Sequence, residues 1–232
     1  MLAHAPICAV FFDLGGTLFH HLPPHHTETN LLALFDSADA QAVLSAYQKY
    51  RQQAEEQALS RPFFYHRELL SEAFARTWRE FSASDSCDHS QAFCAAQTAS
   101  VTQRLELRAD TLPTLQALRD RGYRLAIVSN IDDDYIVPLL ERTRLARYVD
   151  FWLSSERAQS CKPHAEIFHQ ALAQAEVQAH EVLFVGDSYA HDVAGAGALG
   201  MATAWLTVDQ QHIDRSADAN INALSELLVL LP

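Results

Sequence analysis

The sequence predicts an α/β fold with a doubly wound parallel sheet, into which an all-helical segment is inserted. The apolar run Ile7–Phe12 ends in acidic and glycine residues, which is typical of a strand buried on both faces. From residue 108 onward, similar runs alternate with helical patterns, which indicates right-handed β-α-β units. Between Gly16 and Gly122 there is no glycine and no strand-like alternation, which favours helices.

The first predicted strand is followed by a loop with the sequence Asp13-Leu14-Gly15-Gly16-Thr17. Polar and glycine residues at the carboxyl end of a parallel strand mark the edge at which α/β proteins bind ligands. We therefore expect a functional loop here.

Residues 28–107 form the predicted helical insert, rich in Ala, Gln, Glu, Leu and Arg. Apolar residues recur there at helical spacing, as in Leu31, Leu34, Phe35 and Ala38, and in Leu69, Leu70, Ala73, Phe74 and Thr77. We expect several helices, with breaks near Arg61-Pro62 and near residues 82–85. The predicted division is a core of residues 1–19 and 108–232 and a helical domain of residues 20–107.

Strands and helices alternate after the insert. The predicted strands cover residues 123–129, 151–155, 182–185 and 202–208. The predicted helices cover residues 110–121, 132–145, 164–175 and 190–199. A last, amphipathic helix is predicted over residues 221–231. The acidic run Asp132-Asp133-Asp134 suits the positive end of a helix and is expected to be solvated.

Composition limits the classes of function. The 232 residues predict one or two domains, and the net charge of −12 argues against nucleic acid or an anionic membrane surface as partner. The amino terminus lacks the basic start of a signal peptide, and no apolar run is long enough for a membrane span. The four cysteines, with Cys87 and Cys94 on one helix face, are expected to be reduced. We expect a cytoplasmic protein, as a monomer or homodimer, with a small molecule as partner.

Polar side chains follow several of the predicted strands and should meet at one sheet edge. They are Asp13, Thr17, Ser129, Asn130, Lys162, Asp187 and Asp192. Two carboxylates such as Asp13 and Asp187 can hold Mg²⁺, and a carboxylate can also act as a nucleophile. Ser129 and Lys162 can bind phosphoryl oxygens and offset their charge.

Four stretches, in order and in the expected strand context, resemble the haloacid dehalogenase superfamily. They are FFDLGGTLF (11–19), AIVSN (126–130), CKPHAEIF (161–168) and LFVGDSYAHDVAGA (183–196). The resemblance implies the superfamily's Rossmann-like core and a helical cap, here residues 20–107, which closes over the site and selects substrates. It also implies a hydrolase, in most members a Mg²⁺-dependent phosphatase of small phosphorylated substrates.

The resemblance also implies a role for each matching residue. Asp13 resembles the nucleophile, Thr17 the residue that orders its loop, Ser129 the phosphate-binding hydroxyl with the Asn130 amide nearby, and Lys162 the lysine that bridges nucleophile and phosphate. The implied metal ligands are Asp13, the carbonyl of Gly15, Asp187, and Asp192 directly or through water.

Gly15 departs from the pattern, because most phosphatases of this superfamily carry there a second aspartate that serves as acid and base. Its loss leaves three alternatives. The first is a phosphohydrolase that prefers good leaving groups, such as acyl or aryl phosphates, or that takes its proton from another group. The second is a C–halogen or C–P hydrolase, with Lys49 as the candidate Schiff-base lysine of a phosphonatase. The third is a protein that binds phosphate ligands or a protein partner with little turnover.

Two features of the insert could contribute to the site. The histidines His20, His21, His25 and His26 could bind Zn²⁺ or Ni²⁺, supply the missing acid, or lie in a solvated hinge. The segment 61–67 could select substrates, with Arg61 as the candidate anion-binding residue, or could be a turn packed on the insert.

Overall fold

A computed structural model describes residues 6–35, 39–58, 60–82, 89–207 and 217–232. Within these residues, every helix is too short or too polar to cross a membrane. The predicted common face of Cys87 and Cys94 lies in part outside the described residues, as do the proposed end of the last core strand at Val208 and most of the predicted break at residues 82–85.

Six parallel strands form one sheet. They are β1 (Ala9–Phe12), β2 (Arg124–Ser129), β3 (Phe151–Ser154), β4 (Val182–Gly186), β5 (Ala202–Leu206) and β6 (Ala219–Ile221). Their order is β3-β2-β1-β4-β5-β6, and Phe12 of β1 lies level with Ile127 of β2 and Val185 of β4. The predicted parallel sheet is confirmed, and the carboxyl ends of β1, β2 and β4 lie side by side.

Helices cover both faces of this sheet. The core helices are α5 (Thr111–Asp120), α6 (Asp133–Thr143), α7 (Ser155–Ala158), α8 (Ala165–Ala175), α9 (Ala194–Gly197) and α10 (Leu227–Leu230). Alternate residues of β1 point to opposite faces: Val10 and Phe12 pack in the layer of α5, α6 and α10, whereas Ala9 and Phe11 pack in the layer of α7, α8 and α9. All four are fully buried, as expected for a central parallel strand.

The insert is helical, as predicted. Its helices are α1 (Pro24–Leu32), α2 (Ala40–Ala58), α3 (His66–Phe81) and α4 (Ser90–Arg104). They bury an apolar cluster of their own, which includes Leu31, Val43, Tyr47, Phe74 and Phe93. Phe74 and Phe93 stack with ring centroids 4.9 Å apart and so join α3 to α4.

The predicted break near Arg61-Pro62 coincides with the gap before α3, and Ser82, the described residue of the second break, follows the end of α3, but a further break was not predicted. Helix α1 begins with Pro24 in its first turn and ends at Leu32. Leu34 and Phe35, predicted on a helical face, therefore follow the helix, and both pack against the insert's apolar cluster.

The prediction of one amphipathic helix over residues 221–231 is wrong. Ile221 pairs with Leu206 as the last residue of β6, and helical turns follow only from Leu224. Pairing at the open edge of β5 satisfies backbone groups and buries Ile221, which outweighs the helical pattern of so short a segment.

The helix predicted over residues 190–199 is also interrupted. Residues 189–193 form a π turn before the short helix α9. Ser188 Oγ accepts a hydrogen bond from the backbone of His191, and Asp192 in this turn reaches into the core. A π turn widens the helix locally and is frequent at functional sites.

Candidate active site

The strand ends bring four predicted site residues together. Asp13 follows β1, Ser129 ends β2, and Lys162 lies in the loop between α7 and α8. Ser129 Oγ donates a hydrogen bond of 2.9 Å to Asp13 Oδ1, and Lys162 Nζ donates one of 2.7 Å to the same oxygen. Lys162 Nζ also donates to Asp192 Oδ1 at 2.6 Å. The four side chains form one buried polar chain.

Lys162 is a buried cation between two carboxylates, with only 1% of its side chain exposed. Burial disfavours its charge, but Asp13 and Asp192 together outweigh that effect and raise the pKa of Lys162. Lys162 therefore stays protonated. Burial also raises the pKa of Asp192, against the influence of Lys162 and a 3.0 Å hydrogen bond from the Ser188 backbone. Asp192 accordingly anchors the lysine.

Three carboxylates form a group that could hold a metal ion. Asp13, Asp187 and Asp192 each place one oxygen within 4.8 Å of the others'. Oxygen donors of this kind suit a hard divalent cation such as Mg²⁺. Two of these acids, Asp13 and Asp192, are buried, where carboxylates without a cation are costly, and Lys162 supplies one positive charge between them. The donor set therefore fits a divalent ion.

Two glycines allow the loops to approach this closely. Gly16 has a φ of +77°, and a Cβ at this position would overlap Asp187 Oδ2 and the ring of His21. A Cβ on Gly186 would overlap the Asp192 carboxylate. Only glycine leaves room there for these acids.

Gly15 is different, because a Cβ built on it meets no atom within 4 Å. The packing of the described residues would therefore tolerate a Cβ atom at position 15.

Asp187 has its own set of partners. Thr17 Oγ1 lies 3.5 Å from Asp187 Oδ1, and His21 Nε2 lies 3.0 Å from Asp187 Oδ2. Trp205 Nε1 donates a hydrogen bond of 2.9 Å to the backbone carbonyl of Asp187. Thr17 was expected to order the loop of the nucleophile, and its side chain contacts Asp187 rather than Asp13. The hydrogen bond to Asp187 raises the pKa of His21.

Asn130 was predicted to bind substrate, and its side chain contacts the backbone of Lys162. Its Nδ2 donates to the carbonyl of Lys162 at 2.9 Å, and its Oδ1 accepts from the Lys162 backbone N–H at 2.7 Å. Both ends of the amide are thus engaged by one residue. Asn130 holds the backbone of the catalytic lysine candidate in place.

Arg61 is not brought to the site. It is exposed, and the contact seen for it among the described residues is a backbone hydrogen bond to Ala58. The turn after α2 directs this side chain to solvent. Arg67 is the arginine of the segment that reaches the core: its guanidinium pairs with Glu156 at 3.0 Å and Asp134 at 3.4 Å.

The acidic run at the start of α6 was expected to be solvated, and this is wrong for Asp132. Its side chain is 0% exposed. It accepts hydrogen bonds from the backbone N–H groups of His66 and Arg67, at 3.0 and 2.8 Å. An acceptor from the core thus caps the first turn of α3, and the insert is docked on the loop that follows Ser129.

The four histidines after the nucleophile loop do not converge. His21 reaches Asp187, His25 and His26 contact each other with centroids 4.1 Å apart, and His20 is exposed. Among the described residues, the side chains that lie close enough together to hold a metal ion are the three aspartates, and no histidine is among them. The hinge interpretation fits best, with His21 as the exception.

Lys49 does not have the surroundings of a Schiff-base lysine. It is exposed on α2, where its Nζ lies 5.3 Å from the ring centroid of Tyr50. A lysine that forms Schiff bases needs a lowered pKa, usually from burial or a nearby cation.

Sequence reasoning did not single out His66. Its Nε2 is buried and has no hydrogen-bond partner among the described residues. Its ring contacts Phe64 edge to face, with centroids 5.1 Å apart. Burial lowers the pKa of His66 to about 4.

Comparisons with known proteins agree with this arrangement. A family model described as haloacid dehalogenase-like hydrolase matches residues 7–200. The chain is 28% identical to a ribulose-1,5-bisphosphate 5-phosphatase of Halopiger xanaduensis, over 96% of this chain and 98% of that protein.

Two further similarities involve dehalogenases. The chain is 32% identical to an (S)-2-haloacid dehalogenase 4A of Burkholderia cepacia, over 57% of this chain and 58% of that protein. It also superposes on a dehalogenase crystal structure with a TM-score of 0.72 and 24% identity, over 97% of each chain. At that identity, the structural match shows the common fold.

Proposed function

This chain belongs to the haloacid dehalogenase-like hydrolase family, and from that premise we propose that it is a Mg²⁺-dependent phosphohydrolase of a small phosphorylated metabolite. The observation that carries the proposal is the convergence on Asp13 of a hydroxyl, a buried ammonium and a second carboxylate at metal-sharing distance. The full-length similarity to a protein named as a phosphatase supports it.

The proposed reaction has two steps. An oxygen of Asp13 attacks phosphorus in line with the leaving group, the bond between phosphorus and the leaving oxygen breaks, and an aspartyl-phosphate forms. Water then attacks phosphorus, and phosphate leaves with the carboxylate restored. Ser129 Oγ and Lys162 Nζ turn from Asp13 toward the phosphoryl oxygens and offset their charge.

Asp13, Asp187 and the Gly15 carbonyl would hold Mg²⁺, with Asp192 supporting it directly or through water. When bound, the ion neutralises the phosphate charge and makes attack by a carboxylate possible. Without it, Asp13 and the phosphate dianion would repel each other.

We also propose that the insert, residues 20–107, acts as a cap over the core of residues 1–19 and 108–232. The two connections between them lie side by side. Phe19 and Leu107 form an antiparallel bridge, and the backbone N–H of His20 donates to Glu106 at 2.9 Å. A paired hinge of this kind lets a cap move as one unit.

Gly15 restricts the substrates. A positioned acid or base typically contributes about 10²–10⁴ in rate, and no side chain is present at this position to supply it. The enzyme should therefore prefer leaving groups that depart without a proton, such as acyl or aryl phosphates.

The proposal is tested by hydrolysis of p-nitrophenyl phosphate. We expect Mg²⁺-dependent turnover that EDTA stops, and that Asp13→Asn abolishes while the thermal unfolding transition persists. Asp120→Asn, on the exposed face of α5, is the matched control and should keep full activity. Full activity of Asp13→Asn would refute the mechanism.

A second candidate is a C–halogen or C–P hydrolase, which the glycine at position 15 and the dehalogenase relative favour. Asp187 speaks against a dehalogenase, because dehalogenases of the superfamily typically lack this acid, and the exposed Lys49 speaks against a phosphonatase. Metal-independent turnover of 2-chloropropionate, or turnover of phosphonoacetaldehyde, would favour this candidate. Binding of Mg²⁺ and phosphate by calorimetry without any turnover would instead indicate a binding protein.

A further inference from the structure

His21 directly follows the point at which the insert joins the core. Phe19 pairs with Leu107 in an antiparallel bridge, and the backbone N–H of His20 donates to the carbonyl of Glu106 at 2.9 Å. These two contacts fix the chain up to the residue before His21. The backbone of His21 is therefore held close to the core.

The ring of His21 lies against Gly16, in the loop that follows β1. A Cβ atom at Gly16 would come within 2.6 Å of His21 Cε1, so the ring uses space that any other residue at position 16 would fill. Nε2, the atom bonded to Cε1, lies 3.0 Å from Asp187 Oδ2. The imidazole is thus placed by a close contact with one loop of the core and by a hydrogen bond to another.

In the described part of the chain, two side chains donate hydrogen bonds to the Asp187 carboxylate. Thr17 Oγ1 lies 3.5 Å from Oδ1, at the limit for a hydrogen bond, whereas His21 Nε2 lies 3.0 Å from Oδ2. An ionised carboxylate only accepts hydrogen bonds, so Nε2 is the donor. The backbone of Asp187 has separate support, because Trp205 Nε1 donates to its carbonyl at 2.9 Å. The direction of the carboxylate therefore depends mainly on His21.

The contact between His21 and Asp187 contributes little to the stability of the fold. The His21 side chain is 76% exposed and the Asp187 side chain is 24% exposed. Water competes for both partners of so exposed a pair, which makes its net contribution small. The contact matters instead for orientation, because it engages one oxygen of a candidate metal ligand and leaves the other with only the long contact to Thr17.

We propose that His21 is a positioning residue of the metal site, which holds the Asp187 carboxylate in the direction that binds Mg²⁺. The inference rests on the proposed phosphohydrolase function, whose metal site it extends to the insert. His21 itself stays outside the ligand set, because the side chains close enough to share an ion among the described residues are Asp13, Asp187 and Asp192. Removing a side chain that donates to a metal ligand typically costs about 10- to 100-fold in metal affinity.

This role differs from that of an acid in place of the aspartate missing at position 15. An acid acts in the chemical step, so its loss lowers kcat at every Mg²⁺ concentration. A positioning residue acts on metal occupancy. Its loss raises the Mg²⁺ concentration needed for half-maximal rate, and saturating Mg²⁺ restores kcat.

The test measures Mg²⁺ binding by calorimetry in the full-length protein. We expect His21→Ala and His21→Asn to raise the Kd of Mg²⁺ about 10- to 100-fold. His21→Gln should bind Mg²⁺ nearly as tightly as the unmodified protein, because a glutamine amide reaches the place of Nε2, whereas an asparagine amide reaches only that of Nδ1. His20→Ala is the matched control, since it removes the exposed neighbouring imidazole and should leave the Kd unchanged.

Thermal unfolding separates positioning from a structural role. In EDTA, we expect all four variants to unfold near the Tm of the unmodified protein, because the contact is exposed. Added Mg²⁺ should then raise the Tm less in His21→Ala and His21→Asn than in His21→Gln and His20→Ala.

An unchanged or smaller Kd in His21→Ala, or equal changes in His21→Ala and His21→Gln, would overturn the positioning role. So would a loss of kcat for p-nitrophenyl phosphate that saturating Mg²⁺ does not restore, because the ring would then act in the reaction itself. Absence of Mg²⁺ binding to the unmodified protein would overturn this role along with the metal dependence. Absence of turnover with Mg²⁺ bound would instead overturn the proposed function, and the comparison of Mg²⁺ affinities would still decide the role of His21.

Discussion

At Gly15, the structure has room for a Cβ atom, although the residue carries no side chain that could act as an acid or base. The next residue, Gly16, has no room for a Cβ atom because Asp187 and His21 lie against it, whereas Gly15 has no such neighbour. A change at Gly15 therefore alters proton transfer with little disturbance of packing.

Gly15→Asp is expected to raise hydrolysis of an alkyl phosphate more than hydrolysis of p-nitrophenyl phosphate. A positioned acid helps a poor leaving group most, with a ceiling of about 10²-fold at a site not optimised for it. The measurement is kcat/KM for ethyl phosphate and p-nitrophenyl phosphate, with Gly15→Asn as the variant that has the shape but not the proton. An equal gain for both substrates would contradict the missing-acid interpretation.

Among the elements of the insert, α3 contacts the core through its first turn. The first two backbone N–H groups of α3 donate hydrogen bonds to the buried carboxylate of Asp132, and the Arg67 side chain forms an ion pair with Glu156. The insert therefore meets the core in two ways: through the buried carboxylate and charges at the start of α3, and through the packing of α4 against α6.

Asp132→Ala should reduce the free energy of unfolding by about 1–3 kcal/mol, because two backbone donors at the start of α3 lose their acceptor. Asp134→Ala is the matched control, since Asp134 is half exposed and meets Arg67 only at 3.4 Å. Urea unfolding of both variants measures the difference. If the two lost the same stability, the capping role of Asp132 would be wrong.

The pair of Arg67 and Glu156 should make cap docking sensitive to acid. The hydrogen bond from Arg67 lowers the pKa of Glu156 below its usual 4.5, so the pair stabilises the folded state above that pH. This contribution is lost as the pH falls through the lowered value.

Thermal unfolding of Glu156→Gln and of the unmodified protein tests this. We expect the Tm difference to be present at about pH 6 and to shrink as the pH falls through the lowered pKa of Glu156, below 4.5. A difference that is the same throughout this range would show that the charge of Glu156 does not matter for docking.

At the scale of the whole molecule, a chain of net negative charge places three carboxylates together at one edge of its sheet. It carries a net charge of −12, and three of its acids share the site with one lysine. Binding of a divalent cation to the folded state should therefore stabilise the protein by mass action.

We expect millimolar Mg²⁺ to raise the Tm relative to NaCl of equal ionic strength, with about 2.7 kcal/mol of added stability at a concentration 100-fold above Kd. Asp187→Asn should remove most of this effect, whereas Asp120→Asn should keep it. A Tm that rises equally in both variants would indicate nonspecific screening of the surface charge.

The parallel sheet and the candidate site residues that follow its strands could be predicted from the amino-acid sequence, because both follow from local pattern, whereas the order of the strands was not predicted. Asp13, Ser129 and Asp187 each stand at the end of an apolar run, and parallel strands bring such ends to one edge. Most helix and strand bounds were predicted within one or two residues for the same reason. The terminal segment was not, because Ile221 gains a strand partner in Leu206 that its own periodicity does not reveal.

The roles of Asp132, Asn130 and His66 depend on partners far away in the chain, which no local pattern contains. The sequence pattern around Asp132 is that of a solvated helix start. In the structure, its carboxylate accepts hydrogen bonds from backbone N–H groups of α3 that lie 65 and 66 residues away in the chain. Asn130 meets the Lys162 backbone, and the backbone N–H of His66 meets Asp132. Periodicity specifies which face of an element is buried. The contacts between insert and core arise only when separate elements pack, and these contacts decide which polar groups are satisfied.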